Sequence, residues 1–327
     1  MLAAIYEKTG AAREVLRIVE LPDPQPAAGE VRVKLATSGV NPSDVKTRAG
    51  RRTATLPWPR IVPHSDGAGV IDAVGPGVPE SRLGERVWLW NACWGRADGT
   101  AATYVTLPSA QAVPLPATVS FAAGACLGIP ALTAWHAVHL DGGVNGRTVL
   151  VTGGAGAVGH YAVQFARAAG ARCVIATVSG PEKAAIARAA GADEVVNYRE
   201  EDVAARVREA TGGGGVERII EVDLAANLPT GLDALSAEGD IVAYGSGAAD
   251  IAVPFLPSVL KNVRYRFFIV YNLTATDRAR ALCGLTRQLE AGGLAHHLGP
   301  SFPLHDIAAA HEAVEAGAQG NVVVTLT

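Results

Sequence analysis

The sequence predicts an α/β fold in which a β-rich domain accompanies a doubly wound parallel sheet. Three observations point to it. Val149 to Gly159, VLVTGGAGAVG, passes from an apolar β-branched run into Gly154-x-Gly156-x-x-Gly159, and the following HYAVQFARAAG reads as a helix ending at Gly170. From about residue 125 strand and helix patterns alternate, whereas residues 1 to about 120 read as short β segments broken by Pro and Gly. The length of 327 residues exceeds one ordinary core and suits two domains.

The β-rich part contains VRVKLATSGV, VPHSDGAGVIDAVG, ERVWLW and TAATYVTLP. After the glycine motif the expected elements are a strand at 172–178, a helix at 181–190, a strand at 194–197 and a helix at 200–210. A strand at 216–222, a helix at 227–236 and a strand at 239–245 complete the alternation. Gly212 to Gly215 precedes a strand rather than a helix, so it reads as a turn and not as a phosphate cradle. Beyond Pro257 come a β run RYRFFIVY (264–271), helices at 276–291 and 304–316, and a last strand NVVVTL.

A strand, a tight glycine turn and a helix N-terminus in that order make an anion site for a dinucleotide pyrophosphate. Backbone N–H groups of Gly154, Ala155, Gly156, Ala157, Val158 and Gly159 line it, and the helix dipole favours negative charge. The next strand ends at Ser179, about twenty residues past Gly159, where an NAD site usually has a carboxylate for the ribose. Ser179 and Lys183 suit a 2′-phosphate instead, and Tyr198 adds a hydroxyl, so NADPH is the expected cofactor. Lys183 also fits a solvated first-turn lysine, and Glu182 beside it fits a ribose contact.

Composition narrows the class. With 49% hydrophobic and 18% charged residues and a formal net charge of −3, the chain reads as globular, without the basic surface that nucleic acid needs. It has no apolar run of about 18 residues and no leader pattern at MLAAIYEKTG, so no membrane span and a cytoplasmic location are expected. Cys93, Cys126, Cys173 and Cys283 lack paired spacing and read as reduced thiols.

Segments spread along the whole chain carry a resemblance: GVNPSDV (39–45), HSDGAGVIDAVG (64–75), GIPALTAWHA (128–137), VTGGAGAVG (151–159), NYRE (197–200) and YGS (244–246). The chain resembles the zinc-free, zeta-crystallin-like quinone oxidoreductases of the medium-chain dehydrogenase/reductase superfamily. The resemblance implies a GroES-like catalytic domain over 1–124 and 266–327, a Rossmann domain over 125–265, and NADPH in the cleft. It also implies homodimers joined through the 264–271 strand. Asn41 is expected beside the nicotinamide, and Thr133, Ala243, Tyr244, Gly245, Ser246, Phe268, Ile269 and Val270 along the cofactor.

Zinc separates alcohol dehydrogenases from quinone reductases in that superfamily. The resemblance aligns the ligand positions with Asn41, Ser65 and Ile129, none of which replaces a Cys or His, so no metal is expected. His64 next to Ser65 reads as a packed or hydrogen-bonding histidine, and Asp66 alone does not make a site. Hydride must then go to an acceptor that spreads charge onto a distant oxygen, such as a quinone or another conjugated carbonyl. Asn41 and Lys46 are the catalytic candidates. Lys46 replaces an aromatic of the resembling proteins; it suits an oxyanion contact or proton donor, a cofactor-phosphate contact, or a plain surface lysine. LWNACWGRADG (89–99) is longer than the resemblance leads one to expect, and Trp90 and Trp94 suit either a flat pocket or packing. Asn321 stands where relatives often carry a basic residue. The leading reading is an NADPH-dependent quinone oxidoreductase. The alternatives are an enone or enoyl-thioester reductase and a low-turnover NADPH-binding protein.

Overall fold

A computed structural model describes residues 1–52 and 55–326. Two compact units divide the chain, Met1–Ile129 with His296–Thr327 and Pro130–Ala295. The first runs through β1 (Leu2–Ile5), α1 (Ala12–Val15), β2 (Arg17–Glu20), β3 (Glu30–Val40), α2 (Pro42–Arg48), β4 (Asp66–Val74), β5 (Arg86–Leu89), β6 (Tyr104–Pro108), β7 (Ala112–Pro114) and α3 (Phe121–Gly124). The second holds α4 (Leu132–His139), β8 (Thr148–Val151), α5 (Gly159–Ala168), β9 (Cys173–Val178), α6 (Pro181–Ala189), β10 (Glu194–Asn197) and α7 (Val203–Ala210). It continues with β11 (Val216–Glu221), α8 (Leu224–Ala234), β12 (Leu235–Ala243), α9 (Phe255–Leu260), β13 (Arg264–Phe267) and α10 (Ala275–Glu290). The chain then returns to the first unit as β14 (Leu298–Pro303), α11 (Ile307–Glu315) and β15 (Asn321–Thr325).

In the first unit a seven-stranded sheet runs β14-β15-β3-β4-β5-β7, with β6 also on β3. The long β3 organises it. Val31, Val33 and Leu35 alternate into a core with Ile71, Val87, Leu89, Val105 and Leu107, the period-2 pattern of a half-buried strand. Returning β15 pairs antiparallel with β3, Val322 opposite Val40, and so joins the tail to the strand that leads into α2.

In the second unit six strands lie in the order β10-β9-β8-β11-β12-β13, every pair parallel. In sequence order this is 3-2-1-4-5-6, with the topological switch between β8 and β11. Parallel pairing aligns all six C-terminal strand ends, where such sheets bind ligands. A buried Arg218 in β11 anchors the opposite side. It forms a bidentate pair with Asp240 (2.7 and 3.0 Å) and donates to the carbonyls of Val138 (3.2 Å) and Leu140 (3.0 Å) at the end of α4.

The β run expected at 264–271 is shorter. It ends at Phe267, and a 3-10 turn at Val270–Asn272 follows, because β13 keeps register with β12 only from Arg264 to Phe267. Segment 266–295 groups with the second unit, where α10 packs on α4, and Gly284 is where a Cβ would come within 2.4 Å of Trp135.

Candidate active site

The nucleotide half is built by the main chain. β8 ends at Val151, and Gly153 turns with φ +67°. Thr177 at the end of β9 ties the loop down, its hydroxyl accepting from Gly153 N (3.1 Å) and its carbonyl from Gly154 N (2.9 Å). A Cβ on Gly159 would lie 2.1 Å from the Gly153 carbonyl oxygen, so only glycine lets α5 start this close to the loop. Gly156 is exposed at the apex, where a Cβ would meet only the Gly153 oxygen at 3.1 Å. In the first turn of α5, a ten-residue helix, His160 N donates to Gly156 O (3.0 Å) and Ala162 N to Val158 O (2.9 Å), and the helix dipole points its positive end at the loop. The loop therefore fits a pyrophosphate: open at Gly156, closed at Gly154 and Gly159, and positive in dipole.

Asn197 pairs with Val178, and Tyr198 N donates to Val178 O (3.1 Å), so Ser179 and Tyr198 leave the sheet as neighbours. Ser179 and Lys183 are half-buried, Lys183 in the first turn of α6, and Tyr198 is 52% exposed. A cavity of about 640 Å³ opens here, lined among others by Gly153, Thr177, Tyr198, Arg208 and Asp223. Glu221, which ends β11 in the same wall, was not singled out by the sequence. Its carboxylate accepts from Thr152 Oγ1 (3.0 Å), Asp223 N (2.6 Å) and Asn227 Nδ2 (2.8 Å), and burial raises its pKa. Its only signal was the second of two acids in VERIIEV, the one that follows the apolar pair Ile219–Ile220.

The remaining expected contacts sit at the other strand ends. Ala243 ends β12, and Tyr244 behind it is half-buried, its phenol pushed up by desolvation and by Glu221. Gly245 closes tightly, since a Cβ would stand 2.2 Å from Val222 O, and Ser246 donates to Ala248 O (2.7 Å). Phe268 N donates to Ala243 O (3.3 Å), its ring 6.5 Å from Tyr244 and edge-on to His136 at 4.7 Å. Ile269 and Val270 lead into the 3-10 turn, and Thr133 is buried in α4.

A second polar cluster, in the first unit, is made of side chains. Asn41 caps α2, with Pro42 as the first helical residue and Asp44 closing a capping box through Asn41 N (2.9 Å). Burial pushes Asp44 up to about 7. Lys46 lies farther along α2 and is half-buried. Asp66, fully buried, opens β4 opposite Gly39, and its Oδ2 accepts from Asn41 Nδ2 (2.9 Å) and Ile129 N (2.9 Å). Ser65 is buried beside it.

Behind Asp66 runs a buried chain of hydrogen bonds whose direction follows from its end. Thr100 Oγ1 donates to Asp66 O (2.5 Å), so Ser38 Oγ donates to Thr100 (2.7 Å) and accepts from His64 Nδ1 (2.8 Å). His64 Nε2 is then an acceptor, and the facing His311 Nε2 (2.9 Å) is the donor. Burial holds both imidazoles neutral: His64 falls to about 3, and His311, next to it, well below its usual value. His64 has φ +75°, a conformation costing about 1–2 kcal/mol in a non-glycine residue, so this network also fixes a strained backbone. The histidine read as a packed, hydrogen-bonding residue is one.

Trp90 is half-buried with its carbonyl accepting from Gln111 Nε2 (3.0 Å), and Trp94 is 42% exposed. Asn321 opens β15, its Nδ2 donating to His297 O (3.1 Å), which is a structural contact.

A Rossmann sheet with a glycine-loop anion site, joined in one chain to a polar site on an N-terminal β domain, defines a nicotinamide-dependent oxidoreductase. Residues 27–117 match the alcohol dehydrogenase GroES-like domain family and residues 157–285 the zinc-binding dehydrogenase family. The quinone oxidoreductase of Rattus norvegicus is 31% identical over 93% of this chain and 91% of its own length. Among solved structures, an NAD-dependent alcohol dehydrogenase superposes with a TM-score of 0.90 at 31% identity, covering 100% of both chains. A mycobacterial protein solved in complex with NADPH gives 0.88 at 30% identity, again over 100% of both. The chain belongs to the quinone oxidoreductase family of the medium-chain dehydrogenase/reductases and is an NADPH-dependent oxidoreductase.

Proposed function

We propose that the protein transfers hydride from NADPH to a quinone without the help of a metal ion. One observation carries this reading: at two of the three positions where the resemblance puts zinc ligands, Asn41 and Ile129 present N–H donors, and both point at a single oxygen of Asp66. A cation needs electron pairs aimed at it, and here they are already engaged by hydrogens. Among the described residues no three His, Cys, Asp or Glu side chains gather as a metal site requires.

Bound NADPH supplies the hydride from nicotinamide C4. The chain's contribution is to hold the dinucleotide on the α5 loop and to place donors for the acceptor oxygen that gains charge. Asn41 and Lys46 fill that role, and a quinone suits two donors and no Lewis acid, because its charge is already delocalised. Ser179, Lys183 and Tyr198 hold the 2′-phosphate, favouring NADPH over NADH.

The reading extends to a homodimer in the cytoplasm. Among the described residues β13 pairs only with β12, and Phe267 (64% exposed), Phe255 (79%) and Leu260 (74%) leave an apolar surface around this edge that a second copy would cover. Light scattering of wild type and Phe267→Lys checks it, a dimer that the lysine splits being expected.

The decisive experiment is NADPH oxidation with a planar quinone, an open-chain enone and an unconjugated aldehyde, with and without chelator. Quinone turnover insensitive to chelator and far above the aldehyde is expected. Zinc bound at about one per chain and lost together with activity would overturn the reading. A clear enone preference would move it to the conjugated-carbonyl reductases.

A further inference from the structure

We propose that Asp66 is a positioning residue for acceptor reduction, acting through Asn41. The inference rests on the reading of Asn41 as a donor to the acceptor. Asp66 is itself fully buried, so it acts on a bound molecule only through what it holds.

What it holds is specific. Asp66 Oδ2 receives Asn41 Nδ2 from the start of α2 and the main-chain N–H of Ile129 from a segment far away in sequence. The amide has two orientations, and a carboxylate distinguishes them. Nδ2 toward Asp66 makes a charge-assisted hydrogen bond, whereas a flipped amide would set Oδ1 against a carboxylate oxygen. One N–H is thereby committed and the second is left for a ligand, with the amide unable to exchange its donor and acceptor ends. A second carboxylate, Asp44, fixes the main chain of the same residue through Asn41 N.

The fold is shaped to bring Asp66 this close. A Cβ on Gly128 would lie 2.2 Å from Asp66 Oδ1, and one on Gly39 would lie 2.1 Å from Ala125 O and 3.3 Å from Asp66 Cβ. A side chain at Gly128 would push the carboxylate away, and one at Gly39 would force β3 off the Ala125 carbonyl. Behind it, Thr100 holds the Asp66 carbonyl at the end of the Ser38–His64–His311 chain, so the main chain carrying the carboxylate is fixed by buried polar groups. Positioning by such supports matters because a displacement of about 1 Å at a reacting centre costs on the order of a hundredfold in rate.

The test is a double-mutant cycle between Asp66 and Asn41, read as kcat with a quinone and, separately, as the Kd for NADPH. Asp66→Ala should lower kcat about ten- to a hundredfold and leave the NADPH Kd within about twofold. Asp66→Asn should recover most of the loss, since its carbonyl oxygen accepts both N–H groups. In an Asn41→Ala background neither Asp66 substitution should lower kcat further. Should Asp66→Ala not fold, the smaller effect of Asp66→Asn carries the same cycle. Effects that multiply undiminished in that background would overturn the proposal while leaving Asn41 in its role. An Asn41→Ala variant with wild-type kcat would instead overturn the reading of Asn41 on which it rests.

Discussion

The candidate regions of the two units are built in opposite ways. The nucleotide half consists mostly of main chain: one loop between β8 and α5, pinned by Thr177, and a row of aligned strand ends. The polar cluster of the first unit consists of side chains from separate stretches, with Ser38, Asn41, His64, Asp66, Thr100, Ile129 and His311 in one hydrogen-bonded group. A site made of backbone depends on local chain geometry, so its sensitive positions are glycines. A site made of side chains depends on long-range closure, so its sensitive positions are buried polar residues.

The largest expected effects test the nucleotide half. Gly159→Ala places a Cβ 2.1 Å from a backbone oxygen that cannot yield without moving the loop, so NADPH binding should fall at least about a hundredfold. Gly156→Ala, whose Cβ meets that oxygen only at 3.1 Å, should fold normally and bind more weakly only through contact with the ligand. Fluorescence titration with far-UV circular dichroism checks both. If Gly159→Ala binds as wild type does, the loop is not the pyrophosphate site. Arg218→Met tests a polar network in the same unit that lies away from the strand ends. Removing one partner of this buried pair should cost about 3–5 kcal/mol in urea unfolding while the NADPH Kd of the folded fraction is unchanged. A loss of NADPH affinity would mean that the two regions of the Rossmann unit are coupled.

The same contrast decided what could be read from the sequence. The fingerprint and the alternation that became β8 to β12 were legible, because their spacing is local and period and turn chemistry express it, and the same spacing put Ser179, Tyr198 and Gly245 just past strand ends. The β run after Arg264 was overextended, since RYRFFIVY is apolar throughout and only its pairing with β12 sets where it stops. Asp66 was noticed but considered solely as a metal ligand, because nothing in HSDGAG reveals that Asn41 and Ile129 close on it. His311 and Glu221 carried no sequence signal stronger than a polar residue in an apolar helix or at a strand end. Their roles exist only once distant segments meet.

The proposed 2′-phosphate contact sharpens the comparison with a smaller effect. Lys183, like Ser179 and Tyr198, is a side chain beside a loop built of main chain, so its loss should alter which dinucleotide is preferred rather than whether one binds. Lys183→Ala should weaken NADPH by about 1.5–3 kcal/mol, roughly ten- to a hundredfold, and leave NADH unchanged. Parallel Kd measurements decide it. Equal losses for both would assign Lys183 to the helix start alone.

The smallest effect concerns pH and isolates the polar cluster of the first unit. His64 and His311 are held neutral by burial, so their folded pKa values lie below the unfolded value near 6.5. Their contribution is present above that pH and lost as pH falls through it. Asp44 has the opposite sign. Its folded pKa of about 7 lies above the unfolded value near 4, so its contribution is present at low pH and lost as pH rises toward 7. Between about pH 4.5 and 6, unfolding makes the two histidines take up two protons and makes Asp44 release one, a net uptake of about one. These three groups should therefore make stability fall by about 1.4 kcal/mol per pH unit on acidification. His311→Gln keeps an N–H donor for His64 Nε2 but removes one titrating group, so the net uptake drops to about zero and the slope from this region should vanish. Urea unfolding of both proteins at pH 6 and pH 5 measures the difference. Parallel pH dependences would mean that His311 is not buried as a neutral partner of His64, and that the polar chain behind Asp66 is open to water.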